Sequence, residues 1–283
     1  VRHAREPAGA ADPRVEAFVA REPYFSILTA AKFLRANLTP EHEREFFETG
    51  ERLVDWMLRT IELRLQPEFA PMSVLEYGCG VGRLAMPFAA RGAAVVAVDR
   101  SPAMLDLARQ QARRRDLDRL TFLTPDELFT PRHTPSPLSL SSQSRGPNGP
   151  TDAVLPAETP ATPTAPRKFD LVSCYLVLQR MPPRDGLALL RNLLGMLGAG
   201  GIAVVQVPHR VTKANRWRDA SRVLRTRVPL VNGIANRLRG KAADEPFAPT
   251  HVYDLAEVVR TLEEAHIPAT YVSLQEQDDI ASA

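Results

Sequence analysis

Three glycines spaced two apart, Gly78, Gly80 and Gly82, come directly after a short apolar run, Val74-Leu75-Glu76-Tyr77, and lead directly into a stretch suited to a helix, Arg83 to Ala90. Glycine at such a junction lets the backbone turn tightly and lets a ligand approach the main chain closely. The segment therefore predicts a strand, a sharp loop and a helix, which is the opening unit of a parallel sheet. The rest of the chain keeps the same rhythm. Ala93 to Asp99 is a second buried-looking strand ended by an acid, and Ser101-Pro102 opens a helix, with Ser at the N-cap and Pro at N1, that runs through Met104, Leu105 and Ala108 to about Arg115. Leu120 to Leu123 predicts a third strand and Phe169 to Leu176 a fourth. A helix over Arg184 to Leu197 carries a stripe of Leu187, Leu190, Leu194 and Leu197, stopped by Gly198, Gly200 and Gly201 before a fifth strand, Ile202 to Val207. Asp254 to Ala265 predicts a last amphipathic helix and Ile267 to Leu274 a last strand. Alternation of this kind predicts an α/β fold, a doubly wound, mostly parallel sheet with helices on both faces. Residues 1–70 precede it as a helical cover, in which Leu53, Val54, Met57, Leu58 and Ile61 recur at helical spacing.

Two segments break the pattern. Residues 130–168 hold nine of the chain's 25 prolines and eleven Ser or Thr in 39 positions, a composition that cannot offset its ordering entropy and predicts a disordered insertion. Residues 210–241 hold ten Lys or Arg against one acid, Asp219, so the formal charge of +3 is the sum of +9 there and −6 elsewhere. This basic stretch lies within a predicted lid, 209–241. A solvated lid helix is its first reading, an anionic substrate the second, and a membrane surface or RNA shares the rest; Trp217 is the only aromatic residue there, which disfavours nucleic acid. Cys79 and Cys174 form no CxxC or Cys/His pattern, so no zinc or redox site is expected and a reduced, cytoplasmic setting is the default. No stretch of about 18 uncharged apolar residues is present, and residues 1–14 lack the apolar run of a signal peptide.

The glycine loop disfavours one common reading. A nicotinamide fingerprint, G-x-G-x-x-G, needs glycine where Arg83 stands. The E-x-G-x-G-x-G of Glu76 to Gly82 instead resembles motif I of the class I S-adenosylmethionine-dependent methyltransferases. The resemblance extends from about residue 70 to 208. It takes in the acid ending the second strand, the Asp99-Arg100-Ser-Pro-Ala-Met104 segment, Asp126 beyond the third strand, and the fourth-strand region from Phe169 to Gln179. It implies a cofactor site built from Glu76, Gly78, Cys79, Gly80, Gly82, Asp99, Arg100, Met104 and Asp126. Within it, Asp99 would take the ribose hydroxyls, Met104 would lie against the adenine, and Asp126 would contact the adenine amino group. Core packing is a nearly equal reading for Met104, and a solvated loop charge for Asp126.

Residues Glu22 to Thr29, Glu45 to Glu51, Val228 to Asn232 and Val252 to Asp254 are similar to a group of bacterial small methyltransferases. That group commonly has Gln-His where this chain has Gln179-Arg180, so no histidine role is carried over. In the family the sheet ends with a seventh, antiparallel strand, which here is expected to be very short or cut off. The reaction implied is in-line transfer of a methyl group from sulfonium to an O, N or C nucleophile, in which alignment and water exclusion dominate. The Asn/Asp-Pro-Pro-aromatic motif of base and glutamine methylation is absent, and no metal-ligand spacing is present. A small-molecule acceptor is what remains. Tyr175, Gln179, Arg180 and His209 stand at predicted strand ends, and His209 is the nominated base. Two rivals stay open: a nicotinamide-dependent oxidoreductase, and a non-catalytic scaffold that keeps the cofactor pocket.

Overall fold

The computed structural model describes residues 13–129, 168–211, 250–277 and 280–282. The predicted insertion, Lys168 apart, and all but the first residues of the basic lid lie outside them. No described helix is long and apolar enough to cross a membrane.

Helices α1 (Pro13–Arg21) and α2 (Pro23–Ile27), a 3-10 turn (Ala31–Phe33) and the long α3 (Pro40–Arg64) make up the predicted cover. Pro40 and the Thr39 hydroxyl, which accepts the His42 amide at 3.3 Å, fix the start of α3. Strands β1 (Ser73–Tyr77), β2 (Ala94–Val98), β3 (Leu120–Leu123), β4 (Phe169–Cys174) and β5 (Leu197–Val205) then alternate with α4 (Ala85–Ala90), α5 (Pro102–Arg114), α6 (Pro125–Phe129) and α7 (Pro183–Leu194). The five strands are parallel in the order β3-β2-β1-β4-β5. Because side chains alternate across a strand, Val74, Val95, Ala97 and Leu171 pack with Val54, Met57, Ile61 and Phe88 of α3 and α4. Leu75, Val96, Val98 and Val172 face the other way, toward Leu187, Leu190 and Leu193 of α7. The sheet is thus covered on both faces, as the alternation predicts. A third, aromatic cluster of Phe18, Tyr24, Phe25, Phe33, Phe46 and Phe47 fastens the cover over α5.

Three expectations are corrected. The helix predicted to Leu197 ends at Leu194, and Leu197 already belongs to β5. Leu197 pairs with Phe169 and Ile202 with Leu171, so the glycines between them form a bulge inside the strand. Gly200 has φ 71° and a Cβ on Gly201 would lie 2.6 Å from the Phe169 carbonyl oxygen, so the bulge needs glycine at both. Second, the helix predicted from Arg83 starts at Ala85, after a turn. Third, residues 267–274 form no strand: they come after α8 (Leu255–Glu264) as unpaired chain. Ile267 to Ser273 instead wall an apolar cavity of about 460 Å³ that separates them from β5. The strands found late in the chain, β7 (Gln275–Gln277) and β8 (Ile280–Ser282), pair antiparallel with each other, and β8 with β6 (Pro208–Val211), in a separate small sheet.

Candidate functional site

The strand order reverses between β1 and β4: the chain goes outward through β2 and β3 on one side and through β4 and β5 on the other. A crevice at the carboxyl ends of the strands is expected at such a point, and the glycine loop borders it. Gly78 and Gly80 adopt φ 81° and 53°, left-handed conformations that favour glycine. Their missing side chains also make room. A Cβ at Gly78 would lie 2.1 Å from Val177 Cγ2, and one at Gly80 would lie 2.5 Å from Ile27 Cδ1 of the cover.

The loop's amides are turned inward. Gly78 and Cys79 both donate to the Val98 carbonyl, at 2.7 and 2.9 Å, and Gly82 donates to the Cys79 carbonyl at 2.9 Å. Gly80 donates to Asp99 Oδ2 at 2.8 Å, while Asp99 Oδ1 takes the Ser101 amide at 2.9 Å. These amides are therefore satisfied within the protein, and they leave no cradle for a pyrophosphate. What the crevice offers is acceptors. Asp99, half-buried at the end of β2, has lone pairs beyond the two amides it receives. Burial pushes its carboxyl pKa up, opposed by those two backbone hydrogen bonds.

Glu76, at the end of β1, is 1% exposed, and its Oε2 has no hydrogen-bond partner. Burial pushes its pKa up to about 8, against the Ser173 side chain and the Arg83 guanidinium, which favour the charged form. Ser173 is its register partner on β4. A buried, orphaned carboxyl is costly unless a cation or donor arrives to meet it. Together the two acids suit a ligand that presents hydroxyl donors at Asp99 and an ammonium at Glu76.

The other predicted residues distribute unevenly. Cys79 is buried in the loop, its thiol against the Gly80 carbonyl at 3.6 Å and its pKa raised by burial and by the Asp99 charge. Arg100 and Asp126 are exposed. Met104 is buried in the aromatic cluster with Phe46, Met86 and Ala108, which is the core-packing alternative. Ser101 stands at the N-cap of α5, but its buried hydroxyl makes no cap bond; Asp99 takes the Ser101 amide instead. Tyr175 is half-buried, its pKa raised by burial and eased by Arg83. Gln179 is half-buried and its carbonyl accepts the His251 amide at 2.9 Å, while Arg180 is exposed. His209 sits half-buried on β6 with Nδ1 unpartnered. In the sequence Arg83 counts only against a nicotinamide motif, yet in the fold it is 6% exposed and reaches Thr49 of α3. The signal that could have found this contact is Gly50, a glycine inside a long helix.

The sequence matches the model of a family described as a methyltransferase domain over residues 46–236. It is 31% identical over 149 residues to the trans-aconitate 2-methyltransferase of Methylobacterium radiotolerans, covering 52% of this chain and 42% of that one. It is 31% identical over 90 residues to the magnesium-protoporphyrin O-methyltransferase of Rhodobacter capsulatus, covering 32% of this chain and 40% of that one. The chain therefore spans less than half the length of these curated relatives. Among solved structures, magnesium protoporphyrin IX methyltransferase from Synechocystis PCC 6803 with bound SAH superposes with a TM-score of 0.50 at 17% identity, over 83% of this chain and 80% of that one. This last likeness is one of fold.

Proposed function

The chain belongs to the methyltransferase-domain family, and from that premise we propose that it transfers a methyl group from S-adenosylmethionine to a small-molecule O, N or C nucleophile. The observation that carries the reading is the pair of acceptors at the glycine loop, the orphaned Glu76 carboxyl and the Asp99 carboxylate, with the loop amides turned away. When bound, the cofactor supplies an electrophilic methyl on a sulfonium sulfur. The residues of this chain bind and orient it. Asp99 would accept hydrogen bonds from the ribose hydroxyls, and Glu76 would receive the α-ammonium, releasing its own proton to solvent as that charge arrives. Gly78, Gly80 and Gly82 let the loop turn tightly beside them, with Val177, Ile27 and Met86 filling the space their side chains would take. Cys79, Arg100 and Asp126 complete the assigned cofactor set, Met104 packing in the core instead, with residues 1–70 as the helical cover and 71–283 as the methyltransferase domain. Catalysis then rests on alignment and exclusion of water.

The relatives named for trans-aconitate and magnesium-protoporphyrin support a small-molecule acceptor. His209 is the base we carry for acceptors that must lose a proton, because its half-buried ring has a nitrogen without a protein partner. Nothing in the loop favours the oxidoreductase reading. Calorimetric titration of the full chain with S-adenosylmethionine, S-adenosylhomocysteine and NAD tests the proposal. Binding of the first two and not the third is the expected result, and binding of NAD alone overturns it. A panel of acceptors with methyl-labelled cofactor then separates an enzyme from a scaffold.

A further inference from the structure

Two consecutive residues in the middle of α3 are not explained by the helix they belong to. Gly50 weakens a helix interior relative to alanine. A Cβ there would lie 2.0 Å from the Arg83 carbonyl oxygen and 2.9 Å from its carbon, so the helix meets the backbone after the glycine loop at a place where only glycine fits. Thr49 donates its hydroxyl proton to the Phe46 carbonyl at 2.6 Å and accepts from Arg83 Nη1 at 3.3 Å. The Arg83 side chain thus turns inward rather than to solvent. There its charge acts on Glu76 of β1 and Tyr175 beyond β4. Glu76 is also faced by Ser173 from β4, and the thiols of Cys79 in the loop and Cys174 at the end of β4 feel its charge. A second contact joins the same two bodies, since Ile27 of α2 lies over Gly80.

We propose that Arg83 is a positioning residue: with Thr49 and Gly50 it latches the N-terminal cover to the end of the glycine loop, beside Glu76 and Gly80, so that cover docking and cofactor binding are coupled. The inference rests on the reading that this loop binds S-adenosylmethionine. Arg83 suits the role because a guanidinium stays charged when buried and offers several donors in a fixed plane, one of which serves the Thr49 hydroxyl. Coupling of this kind is reciprocal. A docked cover tightens the cofactor, and a bound cofactor disfavours release of the cover by the same factor.

The test compares the full chain with its Arg83→Met, Arg83→Lys, Thr49→Val and Gly50→Ala variants in two measurements. One is amide hydrogen exchange of residues 40–64 without ligand; the other is titration with S-adenosylhomocysteine from about pH 6 to about pH 9. Arg83→Met is expected to weaken binding by about tenfold, within the usual range of coupling between sites. It should also shift the onset of binding to higher pH, because Glu76 then loses its proton less readily, and should speed exchange in α3. Arg83→Lys restores part of each effect. Thr49→Val speeds exchange while leaving the pH profile in place, and Gly50→Ala speeds exchange although alanine is the better helix former. An Arg83→Met protein with the parent's affinity, pH profile and exchange sinks the latch, as does slower exchange in Gly50→Ala. If Arg83→Met does not fold, Arg83→Lys and Thr49→Val carry the same comparison. If the parent chain takes up no S-adenosylhomocysteine, the cofactor reading fails, and ligand-free exchange still decides the latch by itself.

Discussion

Glu76→Gln should make the ligand-free protein more stable at neutral and alkaline pH while weakening its grip on cofactor. Burial lifts the Glu76 pKa from 4.5 to about 8. The folded chain therefore keeps a proton that the unfolded chain releases between those values. Its contribution to stability is fully present below pH 4.5 and is lost as pH rises through about 8. Integrating the proton linkage between about pH 5.5 and pH 8.5 gives a loss of roughly 3 kcal/mol, equivalent to about 6–12 °C in Tm for a domain of this size. Glutamine has nearly the same shape and does not titrate, so the variant should be flat over this interval where the parent slopes. Asp99 is common to both proteins, and burial keeps the Cys79 and Cys174 thiols, which feel the Glu76 charge, protonated over this interval, so the difference between the two unfolding curves reports Glu76. Urea unfolding at the two pH values, monitored by circular dichroism, measures it. Parallel pH dependence in parent and variant would refute the claim that an orphaned acid is held in the core at a cost. Cofactor binding provides the opposite sign: the parent should release up to one proton to buffer on binding S-adenosylhomocysteine below about pH 8, and Glu76→Gln none.

Asp99→Ala strands the Gly80 and Ser101 amides, each worth about 1–3 kcal/mol when left unpaired, and should cost both stability and most of the affinity for S-adenosylhomocysteine, read by thermal melting and calorimetry. Gly78→Ala puts a Cβ 2.1 Å from Val177 at φ 81° and should destabilise by more than about 2 kcal/mol in urea unfolding, with Val177→Ala in the same chain recovering part of it. Tyr253→Phe removes the hydroxyl that donates to the Leu178 and Met181 carbonyls, at 2.9 and 3.0 Å, and should cost about 1–2 kcal/mol; an unchanged melting temperature would show that this tie does not hold the segment after β4.

Much of the fold is legible in the chain because its signals are local. Apolar runs that end in Glu76 and Asp99 become β1 and β2 with their acids at the carboxyl edge. Leu187, Leu190 and Leu194 become the buried stripe of α7. The glycines at 198, 200 and 201 mislead because helix stops and strand bulges use the same residue for the same reason, freedom of φ; only pairing with β4 tells them apart. Residues 267–274 mislead in the other direction. Their β-branched and aromatic residues suit a strand, but a strand needs a neighbour, and here a cavity lies between them and β5.

By itself, then, the sequence determined the alternating elements, the loop that three glycines force at the first strand end, and the two acids beside it, since periodicity and backbone freedom act over a few residues. The tertiary structure decided what those residues can do. It turned the Gly78, Cys79, Gly80 and Gly82 amides inward, onto the Val98 and Cys79 carbonyls and Asp99. It buried Glu76 without a partner for its Oε2, and it drew Arg83 inward to Thr49, 34 positions away. Those outcomes depend on which distant groups share one desolvated space, and in such a space each charge and each missing side chain acts on all its neighbours.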